Sequence, residues 1–125
     1  MTAEQFRSLA LELPQAEERE HMGHPDFRVG GRIFATLGYP DSEWAMVKLY
    51  PDQQRDFMAL APKMFVPVKG AWGRQGCTSV CLKAATQARA KAALYAAWRN
   101  AAAKAAKKSL EAPARPKRRK TASAV

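Results

Sequence analysis

Basic side chains flank glycine turns at two places in this 125-residue sequence. In HPDFRVGGRIFATLG (24–38), Arg28 and Arg32 stand on either side of Gly30 and Gly31; in VKGAWGRQG (68–76), Lys69 and Arg74 surround Trp72. Such residues suit anion contact, because a side chain beside a tight turn projects past the sheet and reaches a phosphate. The Gly30–Gly31 pair is not itself a phosphate cradle: no G-x-G-x-x-G follows it, and the Lys-Ser/Thr ending of a P-loop is absent.

Other chemistries find less support. His21 and His24 flank a glycine without a carboxylate or thiolate cluster at ligand spacing, so no metal site is expected. No glycine elbow surrounds Ser8, Ser42, Ser79 or Ser109. The run Glu17, Glu18, Glu20 reads as a solvated edge or turn rather than an acid–base pair. Cys77 and Cys81 lie in CTSVCLKA, whose Thr, Val and alternation favour a strand. Four residues along a strand span roughly 13 Å at about 3.3 Å each, too far for a mutual disulfide or shared chelation. Neither catalysis nor a cofactor is indicated, and the protein is expected not to be an enzyme.

The elements that position these residues follow from periodicity. Thr2 and Gln5 form a capping box, and Phe6, Leu9, Ala10 and Leu13 keep a helical period until Pro14, predicting a helix over 3–12. A strand near 17–22 precedes a hairpin of 26–29 and 32–38, whose Gly-Gly connection supplies the positive φ of a primed turn. That register sets Val29 opposite Arg32, Arg28 opposite Ile33 and Phe27 opposite Phe34. Phe27, Val29, Arg32, Phe34 and Thr36 then share one face, and Arg28, Ile33, Ala35 and Leu37 the other. The reading taken is that helices cover one face and aromatics under arginine stems line the second; a binding surface is the alternative. EWAMVKLY (43–50) reads as another strand, Asp52 as the cap of a short helix with Phe57, Met58 and Leu60, and 77–83 as the last strand. Residues 87–107 make an Ala-rich helix with Leu94, Trp98 and Ala101 on one stripe. Strands bracketed by helices predict an α+β fold in two layers, an antiparallel meander with the N- and C-terminal helices on one face.

Charge is uneven. Of the net +10, residues 1–103 contribute +3 (thirteen Lys and Arg against ten Asp and Glu) and 104–125 contribute +7 (eight against one). Two regions result: a domain over 1–104 and a basic tail over 105–125, expected to be disordered from 108 because its Pro, Ala, Ser and Lys/Arg content cannot repay ordering entropy. The N-terminal stretch lacks a basic n-region, a continuous apolar h-region and a cleavage site, so a cytoplasmic protein without membrane contact is expected.

LP at 13–14, GHPDFRVGGRIFATL at 23–37, VKLYPDQQ at 47–54, FVPVKGAWGRQGCTSVCL at 65–82 and AAWRNAAAK at 96–104 together resemble the MmcQ/YjbR family over roughly residues 3–104. Phe27, Val29, Gly31, Arg32, Phe34 and Ala35 match its hairpin motif, and Trp72, Gly73 and Gly76 its second loop; lysine is common where Arg32 stands here. The resemblance implies a CyaY-like α+β fold and DNA binding through a double-wing arrangement, as a bacterial protein associated with the nucleoid. Arg28, Arg32, Lys69 and Arg74 would then meet phosphates, with Trp72 or Phe27 stacking or wedging. Trp98 is read as packing only. Lys104 ends the resemblance and joins these phosphate contacts; the tail after it, with Lys107, Lys108, Arg115, Lys117, Arg118, Arg119 and Lys120, lies outside the resemblance and adds Coulomb attraction, so the expected partner is DNA without sequence preference. The alternative is a module that binds a protein partner or a small anionic ligand.

Overall fold

The structure is a computed structural model that describes residues 1–111. In chain order its elements are α1 (Ala3–Leu11), β1 (Glu17–His21), β2 (His24–Val29), β3 (Arg32–Leu37), β4 (Trp44–Lys48), α2 (Pro51–Leu60), β5 (Phe65–Pro67), α3 (Ala71–Arg74), β6 (Cys77–Cys81), a 3-10 turn at Leu82–Ala84, and α4 (Gln87–Glu111). The capping box of α1 forms: Gln5 N–H donates to Thr2 Oγ1 at 3.1 Å and Thr2 N–H to Gln5 Oε1 at 2.9 Å. The cap of α2 differs from expectation. Pro51 is its first residue, and Tyr50 N–H donates to Gln53 Oε1 at 2.8 Å, so Asp52 sits inside the first turn, where its charge still suits the helix dipole.

The six antiparallel strands run in the order β1-β2-β3-β4-β6-β5. β1 to β4 are the expected meander; β6 then inserts beside β4 and leaves β5 at the far edge. The opposite edge, β1, exposes every residue, and its Glu17, Glu18 and Glu20 discourage further pairing. α1 and α4 cover one face: Phe6, Leu9 and Ala10 share a core with Phe27, Phe34, Val47, Leu94 and Ala97. Each such phenylalanine contributes about 1.5–3 kcal/mol by leaving water. Trp98 is the packing residue expected, with its indole N–H donating to Pro14 O at 3.0 Å.

The hairpin register holds at its tip and then slips. Val29 faces Arg32 and Arg28 faces Ile33, but Phe27 pairs with Ala35 rather than Phe34, and Asp26 with Thr36. Phe34 is the extra residue of a bulge, which reverses the alternation beyond it. Phe34 and Ala35 are therefore both buried, and Thr36 leaves the Phe27 face to join Asp26. The bulge places Phe34 and Ala35 together in the core, where a whole phenyl ring is gained.

Gly30 and Gly31 make the turn, at φ of +58° and +79°. A Cβ on Gly30 would lie 2.6 Å from Ala105 Cβ, so the hairpin tip rests directly on α4. α4 itself continues to Glu111, past the end expected at 107, so 108–111, read as disordered, is helical. Alanine's helix propensity and the hairpin above it both favour the extension.

Candidate functional site

β3 and β4 pair only through Ala35–Leu37 and Ala45–Val47, whereas β4 stays paired with β6 along its whole length. Beyond Val47, β4 follows β6 and parts from the hairpin. A cleft of about 360 Å³ occupies this end of the sheet. Arg28, Arg32 and Ile33 line it from the hairpin, Lys48, Leu49 and Tyr50 from the end of β4, Trp72 and Gln75 from the α3 turn, and Ala97, Asn100, Ala101 and Lys104 from α4.

Hydrogen bonds fix these walls. Asn100 Nδ2–H donates to Lys48 O at 3.4 Å and to Gln53 Oε1 at 2.7 Å, tying α4 to the point where β4 leaves the hairpin. The opposite wall hangs on Gln54, which is buried. Its Nε2 donates to Gly73 O, Cys77 O and Thr78 Oγ1, each at 3.1 Å, while Thr78 Oγ1 donates to Gly76 O at 2.8 Å. Gly73 is required there, since a Cβ would stand 1.7 Å from Val68 O. With its backbone pinned, α3 presents Trp72 to solvent at 61% exposure.

The electrostatics are one-sided. Arg28 is the compensated cation: its Nε and Nη2 donate to Asp26 Oδ1 and Oδ2 at 2.8 and 3.0 Å, and Asp26 is fully buried. The hydrogen bond to Asp26 raises the Arg28 pKa, against burial, which lowers it. Arg32, Lys48 and Lys104 make no ion pair among the described residues. The ammonium of Lys48 lies 5.9 Å from the Trp72 ring centroid and that of Lys104 5.5 Å from Tyr50. Cys77 also lines the cleft; burial pushes its thiol pKa up, with Lys48 pulling the other way. Both cysteines are free, on one strand.

Arg28, Arg32, Trp72 and Lys104 are thus brought together, with Arg28 spent largely on Asp26. Lys69 and Arg74 are exposed but do not line the cleft. Lys107 and Lys108 are exposed further along α4. Arg115, Lys117, Arg118, Arg119 and Lys120 lie outside the described residues. Phe27 is fully buried in the core and cannot stack or wedge. Sequence reasoning missed Lys48, Tyr50, Gln75 and Asn100. A signal existed for two of them: Lys48 ends the alternation of Trp44 and Met46, and Asn100 interrupts the stripe of Ala97, Ala101 and Lys104 on α4.

Among the described residues, no helix is long and apolar enough to cross a membrane, and no group of three or more His, Cys, Asp or Glu is placed to hold a metal ion. No curated protein matches the sequence. The fold is similar to that of Deinococcus radiodurans protein DR2400, a crystal structure with the family-model domain DUF419, at a TM-score of 0.65 and 18% identity over 78% of this chain and 75% of that one. The YjbR family model matches residues 11–100, most of the domain just described, and the chain belongs to the YjbR family.

Proposed function

We propose that this YjbR-family protein is a non-catalytic DNA-binding protein that holds backbone phosphates at the hairpin end of its sheet. One observation carries the reading: Arg28, Arg32, Lys48 and Lys104 converge on a single cleft whose lining contains no Asp or Glu. Such a site keeps a positive potential and favours phosphate, which needs cations and exacts no matching shape. A binding rather than catalytic role is supported by the same lining, whose one thiol, Cys77, is buried with a raised pKa. In this reading the basic tail adds sequence-independent attraction, and the protein works in the cytoplasm at the nucleoid.

The test is a titration of the full chain with a labelled DNA oligonucleotide at several salt concentrations. Arg32→Ala with Lys48→Ala is expected to weaken binding and flatten the log–log salt slope by ~1.4–1.8, at ~0.7 per phosphate on a single strand and ~0.9 on a duplex. Lys69→Ala with Arg74→Ala is expected to change the slope less, because those residues stand outside the cleft. An unchanged slope in the first variant refutes the reading. The volume of about 360 Å³ favours a second one, a small anionic ligand, since it falls in the ordinary range for ligand pockets. Saturable binding of a nucleoside monophosphate that persists at high salt, without DNA binding, would select it.

A further inference from the structure

We infer that the surface leading out of the cleft is a track for single-stranded DNA, on which successive unstacked bases lie against Trp72, Tyr50 and Tyr95. The inference rests on the DNA-binding reading and narrows it. A second hollow, of about 350 Å³, adjoins the cleft and shares Tyr50 and Asn100 with it; Tyr95 and Arg99 line its outer side. Tyr50 therefore stands between Trp72 on one side and Tyr95 on the other. All three rings reach solvent, at 61% for Trp72, 39% for Tyr50 and 50% for Tyr95, one face of Tyr95 being stacked on Trp98 with ring centroids 5.9 Å apart.

Each ring also carries its own cation. Lys48 lies over Trp72 at 5.9 Å, Lys104 over Tyr50 at 5.5 Å and Arg99 over Tyr95 at 6.0 Å. None of these three cations makes an ion pair among the described residues. Three exposed aromatic–cation pairs along two joined hollows repeat one chemical unit, an aromatic face beside a positive charge. A nucleotide has the complementary unit, a base beside a phosphate. As a base settles on a ring, the flexible cation above it can move aside to the neighbouring phosphate, so both contacts replace solvent-facing ones.

Duplex DNA cannot use this arrangement. Its bases are stacked on one another, and it offers the protein a ridge of phosphates that would leave the rings without partners. Cations alone would serve a duplex; exposed rings between them are rewarded by a strand whose bases are free. Gln75 and Asn100, the amides in the cleft, add hydrogen bonding without a fixed base-reading pattern.

The experiment uses the full chain, with anisotropy of a labelled oligo(dT) strand, the same strand annealed to oligo(dA), and labelled oligo(rU), all at one low salt concentration. The strand is expected to bind ~10-fold more tightly than the duplex. Tyr95→Ala, outside the main cleft, is expected to weaken strand binding ~5- to 10-fold and leave duplex binding unchanged, with Tyr95→Phe restoring it; each ring should contribute a similar factor. Trp72→Phe against Trp72→Ala repeats the comparison at the other end, and circular dichroism melts confirm that the variants fold. Equal binding of strand and duplex, with neither altered by Tyr95→Ala, overturns the track but leaves phosphate binding standing. Tighter binding of oligo(rU) overturns the assignment to DNA, and no binding of any oligonucleotide overturns both readings.

Discussion

Replacing Gln54 with methionine tests whether the Trp72 wall of the cleft is held by one buried amide. The side chain keeps nearly the same volume and loses the two N–H donors shared among Gly73 O, Cys77 O and Thr78 Oγ1. Both carbonyls keep another donor, Gly76 N–H to Gly73 O at 3.0 Å and Val68 N–H to Cys77 O at 3.0 Å, and the Thr78 hydroxyl still donates to Gly76 O. The loss is therefore two hydrogen bonds at about 1 kcal/mol each, not the larger penalty of orphaned groups, which gives ~2 kcal/mol. With about 110 ordered residues and an unfolding entropy of about 2.1 cal/mol/K per residue, this lowers the melting midpoint by ~9 °C. Thermal circular dichroism measures that shift, and oligonucleotide binding should fall with it because α3 loses its tie to α2. Gln54→Glu discriminates further. An ionised carboxylate would face acceptors only, so its folded pKa is raised, and the variant should regain stability as pH falls and the group acquires an O–H donor. A midpoint for Gln54→Met within ~2 °C of the parent would refute the reasoning and assign the position of α3 to the close packing of Gly73 alone.

Gly30→Val with Gly31→Val should lower stability by ~2–4 kcal/mol, at roughly 1–2 kcal/mol for each side chain forced into the left-handed region, and further where a Cβ meets Ala105. Gly31→Asn alone should melt within ~3 °C of the parent, since the space around that position is open and asparagine tolerates its φ; thermal denaturation checks both. Ending the chain at Glu111 should leave the melting midpoint unchanged and reduce the salt slope of DNA binding, because Arg115, Lys117, Arg118, Arg119 and Lys120 go and no described contact does. Ending it at Lys104 should instead lower the midpoint, since it strips Ala105 from beneath the hairpin.

What the sequence disclosed was local. The capping box of α1, the Gly-Gly turn and the Leu94, Trp98 and Ala101 stripe of α4 are each set by residues within one or two turns of each other, and each forms as read. The bulge at Phe34 was hidden because alternation assigns each residue a face by parity, whereas the core rewards burying Phe34 and Ala35 together. The pairing of Arg28 with buried Asp26 was hidden for a related reason. Residues two apart on a strand share a face, but nothing local shows that the carboxylate loses its water there and must take the arginine as partner. The cleft was the least legible feature, since Arg32, Lys48, Trp72 and Lys104 come from four separate elements. Among the lining residues, Lys48 and Tyr50 already stood in VKLYPDQQ, a segment that carried the family resemblance before any role could be assigned to it.

The same features that escaped the sequence reading explain why the charges gather where they do. The β3–β4 ladder ends at Ala35, next to the bulge residue Phe34, and the strands part just before Arg32 and Lys48. Under that opening, α4 presents Ala97, Ala101 and Ala105, side chains small enough for the hairpin tip to rest on the helix. Bulkier residues there would lift the hairpin and draw Arg32 away from Lys104. Packing therefore places four cations around one cleft, and of these only Arg28 has a carboxylate partner among the described residues. Arg32, Lys48 and Lys104 line the cleft without an ion-pair partner among the described residues. On the proposed reading, an anion in the cleft would supply the counter-charge that these cations lack. Cations held on a flat, fully hydrated surface would be screened within about 10 Å at 0.1 M salt and would attract it less. The small residues of α4 would then act without touching the anion, by letting the hairpin that carries Arg32 rest on the helix that carries Lys104.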